Sequence, residues 1–157
     1  MIPHERLFFD SSAIVKYYVD ESGSDYVKNL IVSINKNTIF VTRVTKVEVT
    51  AVFARQLKAR RLTQSYVDNA VRVFHHHFTS KYFVVEITRD LLDRATDFAT
   101  RHALRGYDAV QLAAMWEVAD ERISQGLSPI VLVSADVELN DAATSEGLAV
   151  ENPNDFP

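Results

Sequence analysis

The sequence contains no cysteine, which removes disulfides, thiolate metal sites and thiol nucleophiles and fits a reducing compartment. Glycine is scarce too: its four copies, Gly23, Gly106, Gly126 and Gly147, are too dispersed for a phosphate-cradling loop or a dinucleotide fingerprint. No uninterrupted apolar run approaches the roughly 20 residues that span a bilayer, and the stretch Met1 to Arg6 lacks the apolar segment of a signal peptide. A soluble, cytoplasmic protein with no membrane partner is expected. Positive charge is not in surplus: the formal net charge is -4 and the pI about 5.7, which argues against a strongly basic nucleic-acid binder. Local basic patches remain compatible with that total, because the field in a cleft follows arrangement as well as sum.

What the chain does have is apolar content, 47% of 157 residues, enough for a real core. Short apolar runs alternate with segments of helical period. The runs predict strands at Leu7 to Asp10, Ile39 to Thr42, Phe83 to Ile87, Ile130 to Ser134 and Leu148 to Val150, whose Phe, Val and Ile content suits strands covered on both faces. The periodic segments predict helices at Ser12 to Tyr18, Asp25 to Ile34, Thr45 to Arg60, Gln64 to Phe78, Arg89 to His102, Asp108 to Ser124 and Val137 to Ser145. Thr63 and Thr88 stand where N-caps belong, and Gly147 lies just past the last helix. Strands alternating with helices imply an α/β fold, a three-layer α/β/α sandwich around a mainly parallel five-stranded sheet. No linker, repeat or low-complexity tract marks a second domain, so residues 1–157 are expected to form one.

Four carboxylates fall at corresponding places in that pattern. Asp10 closes the run Leu7-Phe8-Phe9, Glu48 lies one turn into a predicted helix, Asp108 opens another, and Asp136 follows the run Ile130 to Val133. In an open parallel sheet the strand carboxyl ends share one rim with the helix starts that follow, and ligands bind there. Clustered carboxylates are costly without a cation, about 3 kcal/mol per pair at about 5 Å and an effective dielectric of about 20. A divalent-metal site is the economical reading. Singly, each acid has a simpler explanation. Asp10 and Asp136 are able to cap the helices after them, Thr45-Lys46-Val47-Glu48 matches a capping box, and the helix dipole favours Asp108. Their joint placement carries the argument.

At these residues the sequence resembles a known family. Leu7-Phe8-Phe9-Asp10-Ser11-Ser12-Ala13, Thr42-Arg43-Val44-Thr45-Lys46-Val47-Glu48-Val49, Leu104-Arg105-Gly106-Tyr107-Asp108-Ala109, Val133-Ser134-Ala135-Asp136-Val137-Glu138-Leu139 and Gly147-Leu148-Ala149-Val150-Glu151-Asn152-Pro153 are similar to the successive motifs of PIN domains, in the small VapC-type toxin form. The likeness covers almost the whole chain. It implies a magnesium- or manganese-dependent endoribonuclease that cleaves RNA, a homodimer held inactive by a small antitoxin protein. Ser134 stands where many members have Thr, and Gln111 where many have His; both keep polar capacity.

Hard oxygen ligands suit Mg2+ or Mn2+. Asp10 and Asp108 are expected as primary metal ligands and catalytic residues, with Glu48 and Asp136 completing the set directly or through water. Ser12 and Ser134 are expected to orient these carboxylates. Arg43 and Lys46 are candidates for phosphate contact, whereas Arg55, Lys58, Arg60 and Arg61 read as cations favoured near a helix C-terminus. Three consecutive histidines, His75, His76 and His77, point about 100° apart on a helix and do not chelate one ion together. Asp90, Asp93 and Asp97, interspersed with Arg89, Arg94 and Arg101, read as an exposed, self-compensating face. Two rival functions stay open: another metal-dependent phosphoryl-transfer protein, or a non-catalytic interaction module on the same fold. A receiver needs adjacent acids after the first strand and a haloacid-dehalogenase-like phosphatase a second Asp two residues on; here Ser11 and Ser12 follow Asp10.

Overall fold

The computed structural model describes residues 5–33 and 36–157. Strands β1 (Arg6–Phe9), β2 (Thr38–Thr42), β3 (Phe83–Val85), β4 (Val131–Val133) and β5 (Ala149–Glu151) form one sheet in the order β3-β2-β1-β4-β5. Every neighbouring pair is parallel. β1 lies at the centre, and Leu7, Phe8 and Phe9 leave it no polar face. All three are fully buried, Leu7 and Phe9 in one core and Phe8 in the other, and such a strand is stable only between two covering layers.

Helices supply those layers. α1 (Ser11–Tyr18), α2 (Ser24–Val32), α3 (Arg43–Lys58) and α4 (Gln64–Ser80) pack Ile14, Ile31, Phe53 and Phe74 against Leu7, Phe9, Ile39 and Val41. α5 (Arg89–His102), α6 (Gly106–Ser124) and α7 (Val137–Ser145) pack Leu91, Leu112, Met115 and Leu139 against Phe8 and Leu132. The three-layer α/β/α sandwich expected from the sequence is the architecture that forms. Among the described residues no helix is long and apolar enough to cross a membrane.

Most boundaries fall within two residues of expectation, and the departures have local causes. β1 stops at Phe9 because Asp10 turns to cap α1, its carboxylate accepting the Ala13 N–H at 3.0 Å. α2 ends at Val32; its expected end, Ile34, lies outside the described residues. α3 begins at Arg43, two residues early, because Thr42 leaves β2 and caps at once, its hydroxyl accepting the Thr45 N–H at 3.2 Å. Thr45-Lys46-Val47-Glu48 is therefore no capping box, since Thr45 is already inside the helix and Glu48 is one turn too late to cap. Thr63 and Thr88 do cap α4 and α5, accepting from Tyr66 and Leu91. Gly23, at φ 81, joins the α1–α2 loop to a turn after β5, where a Cβ would come within 2.5 Å of the Pro153 carbonyl oxygen.

Candidate active site

A parallel sheet brings all strand carboxyl ends to one edge, and the order β2-β1-β4 makes the gap above β1 and β4 special. The helix after β1 covers one face and the helix after β4 covers the other, so the two chains part and leave a crevice, the place where open α/β sheets bind ligands. A cavity of about 620 Å³ opens there. Glu48, Asp108 and Asp136 line it, together with Arg105 and Tyr107. Asp10 does not line it; it stands next to Glu48, 2% exposed.

Each acid is held by hydrogen bonds that fix its direction. Ser12 Oγ donates to both Asp10 oxygens, at 2.7 and 2.9 Å, while accepting the Ala135 N–H at 2.9 Å, so one hydroxyl ties the start of α1 to the loop after β4. Ser134 Oγ lies 3.5 Å from Ser12 Oγ and accepts the Asp136 N–H at 3.1 Å. Asp136 caps α7 through the Leu139 N–H at 3.0 Å. Glu48 accepts from Ser11 Oγ at 3.0 Å and from Gln111 Nε2 at 2.8 Å. Gln111, only 1% exposed, also donates to Thr45 Oγ1 at 3.0 Å. It thereby locks α6 to the start of α3. Ser12 and Ser134 were legible in the sequence; Ser11 and Gln111 as holders of Glu48 were not, although Gln111 already stood out as a position where many PIN domains have His.

The electrostatics follow from this crowding. Burial pushes the Asp10 carboxyl up to about 7, against the pull of hydrogen bonds from Ser12 and Ala13 and with a small push from Glu48. Asp108 rises to about 6, first through burial and then through Asp136 and Glu48, with Arg105 pulling the other way. Glu48 is also raised, by burial, although Gln111 and Ser11 oppose it. Three carboxylates facing one guanidinium make a cavity that favours added positive charge. Perturbed acids grouped in a cleft mark a functional-site candidate.

The donor set is all oxygen, which suits a hard cation and not zinc. Among the described residues no three acidic or histidine side chains close around one point tightly enough to hold an ion alone. Asp10 keeps ligating capacity while hydrogen-bonded, because each carboxylate oxygen offers two lone pairs.

The cationic candidates are placed elsewhere. Arg43 forms an exposed ion pair with Glu86, Nε to Oε2 at 3.0 Å, and lies 5.5 Å from the centre of the Phe78 ring. Lys46 lies 5.8 Å from the same ring and borders a separate apolar groove with Val47 and His75. Neither lines the acidic cavity. Of the three histidines, His75 Nε2 meets Thr50 Oγ1 at 3.2 Å and His77 Nδ1 meets Tyr18 Oη at 2.8 Å, in different directions. The exposed face of α5 is compensated differently from expectation: Arg94 faces Glu117 at 3.7 Å and Arg101 faces Glu146 at 2.6 Å, both across helices. Partners on α6 and beyond α7 reach these guanidiniums because the helices pack side by side.

The PIN domain family model matches residues 7–144. Ribonuclease VapC45 and Ribonuclease VapC49, from two strains of Mycobacterium tuberculosis, are each 33% identical over 114 residues, 73% of this chain and 77% of theirs. Among solved structures, PAE2754 from Pyrobaculum aerophilum superposes with a TM-score of 0.61 at 19% identity, covering 98% of this chain and 93% of that one. A toxin-antitoxin complex from Klebsiella pneumoniae superposes with a TM-score of 0.53 at 16% identity, covering 94% and 97%.

Proposed function

Since this chain belongs to the PIN domain family, we propose that the acid-lined cavity is the active site of a Mg2+- or Mn2+-dependent endoribonuclease, the toxin of a type II toxin-antitoxin pair. The observation that carries the reading is the convergence of Glu48, Asp108 and Asp136 on one cavity, with Asp10 buried within reach of the Glu48 charge. The relatives at 33% identity are named ribonucleases, which supports the substrate class.

Asp10 and Asp108 are the principal ligands in this reading, and Glu48 and Asp136 complete the set. A divalent ion bound there lowers the pKa of a coordinated water and neutralises charge on the phosphate. The chain's own work is positional. Ser12 holds Asp10 in one rotamer, and Ser11 and Gln111 hold Glu48 between two helices. Ser134 fixes the turn into Asp136, and Arg105 sits in the cavity wall beside Asp108. Use of Arg43 by RNA requires it to leave Glu86; Lys46, which among the described residues has no ion-pair partner within 4 Å, is the readier phosphate contact on α3.

A small antitoxin partner fits the same electrostatics. A cavity of carboxylates without its cations pairs well with a planar, permanently charged guanidinium, so the inhibitor is proposed to insert an Arg towards Asp10, Glu48 and Asp108 and to compete with manganese. Assembly as a homodimer and a cytoplasmic location complete the reading. The test is manganese-dependent cleavage of single-stranded RNA by the wild type and by Asp108→Ala, with cooperative unfolding followed alongside. Cleavage lost with folding intact supports the assignment; cleavage retained by Asp108→Ala, or lost only because the protein no longer folds, contradicts it.

A further inference from the structure

A second cavity, of about 330 Å³, opens beside the acidic one and shares two of its walls, Glu48 and Tyr107. Its other walls come from α3, with the apolar Val47, Ala51 and Val52 and the cationic Arg55, and from Ser11 at the start of α1. The volume falls at the lower end of ligand sites, about 300 to 1,000 Å³. Three features define what fits. Tyr107 is a large aromatic that is 56% exposed, at the start of α6 and next in sequence to Asp108. Arg55 is exposed and, among the described residues, has no ion-pair partner within 4 Å. Val47, Ala51 and Val52 give the cleft apolar lining, and Glu48 adds one carboxylate.

We propose that this cleft is a nucleotide subsite flanking the scissile phosphate, in which Tyr107 stacks on the base adjacent to the cleavage point and Arg55 pairs with the next phosphate along the strand. The inference rests on the ribonuclease reading for which phosphate is cut, but its geometry is independent of catalysis. A flat π-face is sequence-tolerant, since every base has one, and the Arg55 cation in the same cleft offsets the charge of Glu48. RNA is favoured over a protein segment as occupant because the cleft shares Glu48 and Tyr107 with the acidic cavity and carries one cation, Arg55, whose charge complements a phosphate.

The experiment measures binding of a 2′-O-methyl oligoribonucleotide, which has no free 2′-hydroxyl, by fluorescence anisotropy without divalent metal, and in parallel manganese-dependent cleavage of the matching RNA. Tyr107→Ala is expected to weaken binding about ten- to a hundredfold, and Tyr107→Phe to keep it. Arg55→Ala is expected to weaken binding and reduce the salt dependence by about one phosphate contact, with Arg55→Lys partly restoring it. In cleavage these changes raise KM far more than they lower kcat. Wild type that binds the oligonucleotide but cuts nothing leaves the subsite standing and overturns the nuclease reading. Tyr107→Ala and Arg55→Ala binding as tightly as wild type overturn the subsite, whether or not the RNA is cut. The subsite also falls if the wild type does not bind the oligonucleotide, or if both substitutions spare RNA while weakening a peptide inhibitor, which makes the cleft a protein-docking surface.

Discussion

Two sets of carboxylates in this molecule are alike in sequence and opposite in circumstance. Glu86 and Glu146 lie beside arginines: Glu86 is held below the ordinary range by its hydrogen bond from Arg43, and Glu146, although burial works against it, is held low by His102 and Arg101, both 2.6 Å from its Oε1. Asp10, Glu48 and Asp108 are raised by burial instead. The first set is satisfied by the protein itself. The second is arranged with one guanidinium among its neighbours and stays short of positive charge. A chain selected only for stability has no reason to leave acids in that state, because removing them relieves repulsion, so the difference supports the proposed site.

The largest expected effect separates the two sets by activity. Asp108→Asn or Asp10→Asn should lower manganese-dependent RNA cleavage about a thousandfold or more, since the ion that activates water loses a ligand. Glu146→Gln should leave the rate within about twofold. Comparable losses in both sets, measured at equal folded fraction, would erase the distinction.

Next comes the scaffold of the acidic set. Gln111→Ala removes the amide that joins Glu48 to Thr45 and should cost about ten- to a hundredfold in cleavage or in manganese affinity. Gln111→His tests whether an imidazole serves there as well as the amide. Full activity in Gln111→Ala would mean that Ser11 alone positions Glu48.

The two sets also titrate in opposite senses. Asp10 and Asp108 bind protons more tightly folded than unfolded, so their contribution is fully present below the unfolded carboxylate range, about 4, and is lost as pH rises through about 6 and 7. The metal-free protein should therefore gain about 1 to 2 kcal/mol on going from pH 7.5 to pH 5, most of it from buried Asp10 because solvent screens the half-exposed Asp108, read by denaturant unfolding, and Asp10→Asn should flatten that slope. Glu146, depressed in the folded state, contributes stability above the ordinary glutamate range and loses it on acidification below that range. The smallest effect is Glu146→Gln at neutral pH, about 0 to 1 kcal/mol for an ion pair near the surface.

Much of this was legible in the order of residues. The unbroken apolar run Leu7-Phe8-Phe9 announces a strand covered on both faces, but the strand order that puts it at the sheet centre was not in the sequence. Asp10 and Asp136 were readable as caps, and they are caps; that role uses one oxygen of each and leaves the rest of the carboxylate for other partners. The start of α3 was misread because Thr42 and Thr45 are equally good capping residues, and only the end of β2 decides between them. Contacts between distant segments left no local signal: Ser11 and Gln111 meet Glu48 from 37 and 63 residues away, and Glu86 reaches Arg43 from 43. Arg55 read as a cation near a helix C-terminus, which it is, but helical period alone does not say that its face borders the acidic cavity.

The central claim is that the acidic set is a divalent-cation site, and thermal unfolding in manganese tests it directly. At about a hundredfold excess over Kd, an ion that binds only the folded state adds about 2.7 kcal/mol, or roughly 5 to 10 °C for a chain of this size. Millimolar manganese should raise the Tm of the wild type by that order and leave Asp108→Asn and Asp10→Asn nearly unmoved. Equal shifts in all three proteins would contradict the account.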